Sequence, residues 1–136
     1  MSKRKTVNWE KRAAEDDYRA ARSYLSLLFS AEKAQVLEAA LRRAPTQEFP
    51  AKDILRASQT HLLDDDNWTV RQSLKKIKKG EPLSPVLLVR GDATKGATLT
   101  IADGYHRICA SWQWDEKSPI FCCLVDLPSP SKKVKS

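Results

Sequence analysis

Apolar residues recur at three- and four-residue spacing between residues 10 and 29: Ala14, Tyr18, Ala21, Leu25 and Leu28. Arg19, Arg22 and Ser26 fall between them, so the period predicts an amphipathic helix. Ser30 suits the N-cap of a second helix, and Glu32 in its first turn complements the positive end of the helix dipole. Leu37, Ala40, Leu41 and Ala44 give that helix its apolar face before Pro45 stops it. Together the two predict an N-terminal helical hairpin.

The pattern changes at Glu48. Phe49 to Leu55 reads as a short extended segment that ends near Arg56 and Ser58. The acidic run Asp64-Asp65-Asp66 leads into Asn67, a good cap for a helix over 68–79. Val70, Leu74 and Ile77 form its apolar stripe, Arg71, Lys75, Lys76, Lys78 and Lys79 its basic side, and Gly80 its end. Residues 85–90 are a continuous apolar run of strand length, 91–96 are turn material, and 98–102 alternate as a second strand. Gly104 to about Gln113 reads as a helix and Pro119–Val125 as a final strand. The tail, 128–136, has the composition of a disordered end.

Charge sharpens this division. The 136 residues carry a net +7, which on its face suggests a nucleic-acid partner. Residues 1–45 hold 10 basic and 6 acidic residues, residues 46–127 hold 11 of each, and 128–136 hold three lysines. All the net charge therefore lies in the flanks, where contact with a nucleic acid or a protein partner would arise. Glu15, Asp16 and Asp17 interrupt the basic character of the hairpin, whose charge reads as a solvated face. No apolar run approaches the roughly 18 residues that span a bilayer, so no membrane association is expected. The basic start is not followed by an apolar stretch, which excludes a secretory signal. Cys122 and Cys123 are strand neighbours facing opposite ways, and no Cys-x-x-Cys pair suggests zinc. Reduced, buried thiols point to a cytoplasmic protein. Trp68, Trp112 and Trp114 flank helices and read as core or pocket wall.

The stretch richest in chemistry is Leu99 to Ala110, where a strand meets Asp103-Gly104-Tyr105-His106-Arg107 and turns directly into a helix. Such a junction offers free N–H groups and a positive dipole end, both of which attract phosphate. Gly104 would let the backbone approach a ligand, and His106 and Arg107 fall in the first turn, where both can reach an anion. Asp103 beside a phosphate implies a divalent cation, a proton-accepting role, or simply a helix cap. The five residues alone are equally compatible with an ordinary capped turn.

The wider order of elements resembles the ParB/sulfiredoxin-like superfamily. The matching segments are Pro50–Arg56, Val70–Ile77, Ser84–Gly91, Ile101–Ala110 and Ile120–Val125, spread over about residues 48–126, with the hairpin outside the resemblance. This resemblance implies an α+β fold, a ParB/sulfiredoxin-like domain with a small mixed sheet and packed helices at 46–127. The apolar pattern and composition add an N-terminal helical hairpin extension at 1–45 and a disordered basic tail at 128–136. It further implies that Gly104, Tyr105, His106 and Arg107 cradle nucleotide phosphates, and that Arg56 reaches the same pocket. Ser73, with Arg71 or Gln72 nearby, would contact the nucleotide from the preceding helix. The implied ligand is a nucleoside di- or triphosphate with Mg²⁺, Asp103 acting as metal ligand or base in an NTPase or phosphotransferase. The alternative is a non-catalytic, nucleotide-gated or DNA- or protein-binding accessory protein. Tyr105 stands where sulfiredoxins place a nucleophilic Cys, so sulfinic acid reduction is not expected. The sequence stops shortly after the closing strand, so the helix-turn-helix of partition proteins is not expected either. The turn is closest to the Asp-Gly-His-His-Arg form of the free-serine kinases, whose acceptor base would fall to Asp53 or Glu48.

Overall fold

A computed structural model describes residues 6–128 of the chain. Among them the elements run α1 (Glu15–Leu28), α2 (Ala31–Arg43), β1 (Thr46–Pro50), α3 (Ala51–Ser58) and α4 (Trp68–Lys79). They continue through β2 (Val86–Val89), a 3₁₀ turn (Ala93–Lys95), β3 (Thr100–Asp103), α5 (Tyr105–Trp114) and β4 (Pro119–Val125). The fold is mixed α+β, with helices on both faces of a four-stranded sheet ordered β1-β4-β2-β3. The central β2–β4 pair is parallel, and the outer β1–β4 and β2–β3 pairs are antiparallel.

The unbroken apolar run of β2 exists because both of its faces are covered. Val86 and Leu88 face one core with Ile54, Val70, Ile108 and Ile120, formed with α3, α4 and α5. Leu87 and Val89 face the other with Tyr18, Leu25, Leu37 and Leu41 from the α1–α2 hairpin. Cys122 and Cys123 divide between these cores in the same way, and all three thiols are free and buried. The hairpin thus covers β2, β3 and β4 on one face of the sheet, with Leu25 and Leu41 fully buried.

Two expectations are corrected. The first helix begins at Glu15, not near residue 10, because the chain before it runs extended: Val7 is buried and Trp9 bridges Leu83. Glu10 N–H donates to the Leu83 carbonyl at 2.8 Å, and the Trp9 ring stacks on Phe121 at 5.9 Å. The extended segment expected through Leu55 ends at Pro50, and Ala51–Ser58 is a helix. Pro50 sets the entry with φ −63°, and Ala51, Ile54, Leu55 and Ser58 then form a buried stripe at helical spacing. The first N–H groups of α3 donate to Ser118 and Glu116 carbonyls at 2.9 and 3.2 Å, so this buried helix start is satisfied.

Other elements match their sequence signals. Ser30 Oγ accepts from Lys33 N–H at 3.1 Å, and Asn67 Oδ1 accepts from the Thr69 and Val70 N–H groups. Gly80 closes α4 in the left-handed region at φ 78°. The basic start at residues 1–5 and the tail from residue 129 onward lie outside the described residues. No helix among the described residues is long and apolar enough to cross a membrane.

Burial of one sheet face by the hairpin predicts one cooperative unit. All four tryptophans lie outside residues 15–43, so their fluorescence reports on the remainder of the chain. Leu25→Ala should cost about 2–5 kcal/mol. In urea, fluorescence and far-UV circular dichroism should still give coincident transitions. Separated transitions, with the fluorescence midpoint unmoved, would contradict this packing.

Candidate functional site

α5 opens at Gly104, whose φ of 108° belongs to the left-handed region, and no side chain caps the helix start. A Cβ at this position would lie 2.4 Å from Val86 Cγ1. Glycine is therefore demanded by the packing of the turn on β2, a reason different from the ligand approach that the sequence suggested. Asp103 ends β3 opposite Leu87, which sets its carboxyl beside the first turn of α5.

The polar centre of the site is Arg107, in the first turn of α5 and with its side chain only 15% exposed. Its Nη2 donates to Asp103 Oδ2 at 2.6 Å. Its Nη1 donates to Asp17 Oδ2 at 3.1 Å and to the Ser84 carbonyl at 2.5 Å. Ser84 Oγ in turn donates to Asp17 and accepts from the Ala14 N–H at 3.1 Å. One guanidinium thus joins α1, the segment before β2, the end of β3 and the start of α5. The two carboxylates outnumber it, so with both ionised the cluster is net negative. Arg107 is consequently not the free phosphate-binding fork expected from the sequence.

Around this cluster lies an open cleft of about 430 Å³. Ser73, Asp103, Gly104, His106 and Arg107, five of the seven residues singled out from sequence, line it. Thr69 and Lys76 join Ser73 on the same face of α4, at the positions one turn to either side. Arg56 is not brought here. It sits on α3, 80% exposed, with its guanidinium 3.9 Å from Asp53, because the segment carrying it is a helix instead of a strand end. Tyr105 also turns away: its hydroxyl donates to the His61 carbonyl and its ring packs on the core. Asp53 is on the same helix and lines a different cavity from the cleft at Gly104.

Sequence reasoning missed Asp17, Ser84, Thr69 and Lys76. The last pair was readable from the helical spacing around Ser73. Asp17 lies 90 residues from its partner and carries no local signal. Trp112 and Trp114 are partly buried against the core as expected, whereas Trp68 is 65% exposed. Cys109 is buried beneath the turn and accepts from the Leu63 N–H at 3.4 Å, and burial raises its thiol above the usual range. Burial likewise pushes Cys122 up to about 12, so neither thiol is primed as a nucleophile.

For a cation, Asp17 and Asp103 present two carboxylates to the cleft, a hard-oxygen set suited to Mg²⁺. Among the described residues the one trio of ligand atoms close enough to share an ion is the exposed Asp64–Asp66 turn, where the Asp64 carboxylate already accepts from the Asp66 N–H at 2.9 Å. No protein-family model, curated protein or solved structure matches this chain.

Burial pushes the Asp103 carboxyl up to about 6 from the usual 3.8, opposed by Arg107 and reinforced by the neighbouring Asp17. The folded site thus favours the protonated acid, and ionising it costs about 3 kcal/mol. Stability from this group is complete below about pH 4 and is lost as pH rises through about 6. Asp103→Asn cannot ionise. Denaturation of both proteins across this range should therefore show the wild type losing about 2–3 kcal/mol relative to the variant between about pH 4 and 7. A difference independent of pH would contradict the environment described for Asp103.

Proposed function

We propose that the cleft at the Gly104 turn binds the phosphates of a nucleotide together with Mg²⁺, in a ParB/sulfiredoxin-like domain. One observation carries this reading: the uncapped start of α5 opens into the same cleft as the Thr69–Ser73–Lys76 face of α4 and a pair of carboxylates. A helix start offers N–H donors and a favourable dipole to an anion. Lys76 and His106 add side-chain donors, and the Ser73 and Thr69 hydroxyls add neutral ones. The mixed four-stranded sheet and the strand–Gly–helix junction suit the superfamily arrangement but are shared by other folds.

The internal pairing of Arg107 alters the roles that the resemblance implied. In this reading Arg107 is a positioning residue that holds Asp103 and Asp17 at the cleft, and Lys76 takes over the direct contact with phosphate. Asp103 and Asp17 would hold Mg²⁺, which supplies charge neutralisation at the phosphates. A bound cation also offsets the excess of negative charge that makes Asp103 hard to ionise. With its carboxyl near 6, Asp103 is equally suited to accept a proton near neutral pH, which is the requirement for phosphoryl transfer to a hydroxyl. The non-catalytic form of the proposal uses the same contacts without that proton transfer.

Thermal unfolding with millimolar ATP, ADP or CTP, with and without Mg²⁺, tests binding directly. A ligand at about 100 times its Kd adds about 2.7 kcal/mol, enough to raise Tm by several degrees. Lys76→Ala should weaken binding about tenfold by removing a charge-assisted contact, with the unliganded Tm unchanged. No Tm shift with any of the three nucleotides would overturn the proposal. Released phosphate, measured on the same samples, separates turnover from binding alone.

A further inference from the structure

A second cavity lies at the other end of the sheet from Gly104. β2 and β4 are the parallel pair, and their C-terminal ends open into a groove of about 340 Å³. Phe49, Ile54, Ala57, Leu88, Leu99 and Leu124 give it an apolar wall. Sites outside the carboxyl ends of parallel strands, and pockets of this volume with an apolar lining and few polar groups, are where small ligands characteristically bind.

The roof of the groove is built, not loose. The chain after β2 folds back so tightly that a Cβ on Gly91 would lie 2.2 Å from the Thr98 carbonyl oxygen. Asp92 Oδ1 accepts from the Thr94 N–H at 3.0 Å, and Asp92 bridges Ala97. The Leu99 N–H then donates to the Ala57 carbonyl at 3.1 Å, tying this roof to α3. A hydrogen-bonded roof over partly exposed Phe49, Leu99 and Leu124 is a preformed cavity.

Two charged side chains line it, Asp53 and Arg90. They are not equivalent. Asp53 already has cations on its own helix, Lys52 at 3.5 Å and Arg56 at 3.9 Å. Arg90 spends only its Nε, on Asp126 at 2.6 Å, and its two Nη groups have no partner among the described residues. The groove therefore offers an apolar bed with a guanidinium fork still open at its edge. We infer that this groove is a binding site for a small monocarboxylic acid with an apolar body, its chain against Phe49, Leu88 and Leu124 and its carboxylate on Arg90.

The probes are octanoate, octan-1-ol and octylammonium, which share a chain and differ in charge, titrated into the full-length ¹⁵N-labelled protein. Octanoate should shift the amides of Ala57, Gly91 and Leu99 and bind roughly tenfold tighter than octan-1-ol, the increment of one charge-assisted bond. Octylammonium should bind no better than the alcohol. Arg90→Gln, at an exposed side chain, should reduce octanoate to the affinity of the alcohol, and Ala57→Phe should block both. Equal affinity for all three probes, an unchanged octanoate affinity in Arg90→Gln, or no shifts confined to the groove at millimolar probe would overturn the inference. Groove shifts that follow protein concentration without any probe would mean that a second copy of the chain occupies it, which also overturns it.

Discussion

A guanidinium that is 85% withdrawn from water is stable only where every direction of its fork meets an acceptor, and Arg107 meets three. The carboxylates of Asp17 and Asp103 and the Ser84 carbonyl belong to α1, β3 and the segment leading into β2, while Arg107 itself belongs to α5. The clamp therefore fixes where the hairpin meets the sheet and how the Gly104 turn is presented. Apolar packing of Leu25, Leu37 and Leu41 on Leu87 and Val89 supplies the bulk of the attraction between these parts. That packing is non-directional, whereas the clamp has one geometry.

The same clamp sets the electrostatics of the cleft. One cation shared by two half-buried carboxylates leaves a negative excess, and burial then holds Asp103 near the point where it exchanges a proton at neutral pH. Anion affinity cannot come from Arg107 under these conditions. In the proposed reading it comes from the α5 start, Lys76 and His106, with a cation reconciling the carboxylates and the phosphates. The overall +7 of the chain contributes little here, since residues 46–127 are balanced in charge.

Elements with local signals were legible in the sequence. α4 carries its cap at Asn67 and its stop at Gly80, α2 its cap at Ser30, and β2 the continuous apolar run of a strand buried on both sides. The junction at Gly104 was equally plain, and five of the six residues picked from it and from α4 do share one cleft. What failed was tertiary. Nothing local distinguishes Asp17 from Glu15 and Asp16, yet Asp17 alone reaches Arg107. Residues 51–55 read as extended from the sequence because the apolar pair Ile54-Leu55 is ambiguous in a short run. The buried contacts at Ala51 and Ser58 and the carbonyls of Ser118 and Glu116 decide for helix. Arg56 left the site with that one change of secondary structure.

The claim that the clamp joins the hairpin to the α5 turn is tested most directly by a double-mutant cycle of Asp17→Asn and Arg107→Gln, read by urea denaturation. Residues that share a buried ion pair couple, and the account predicts a coupling energy above about 1 kcal/mol. Costs that add within about 0.5 kcal/mol would contradict it, because the two side chains would then stabilise the fold independently.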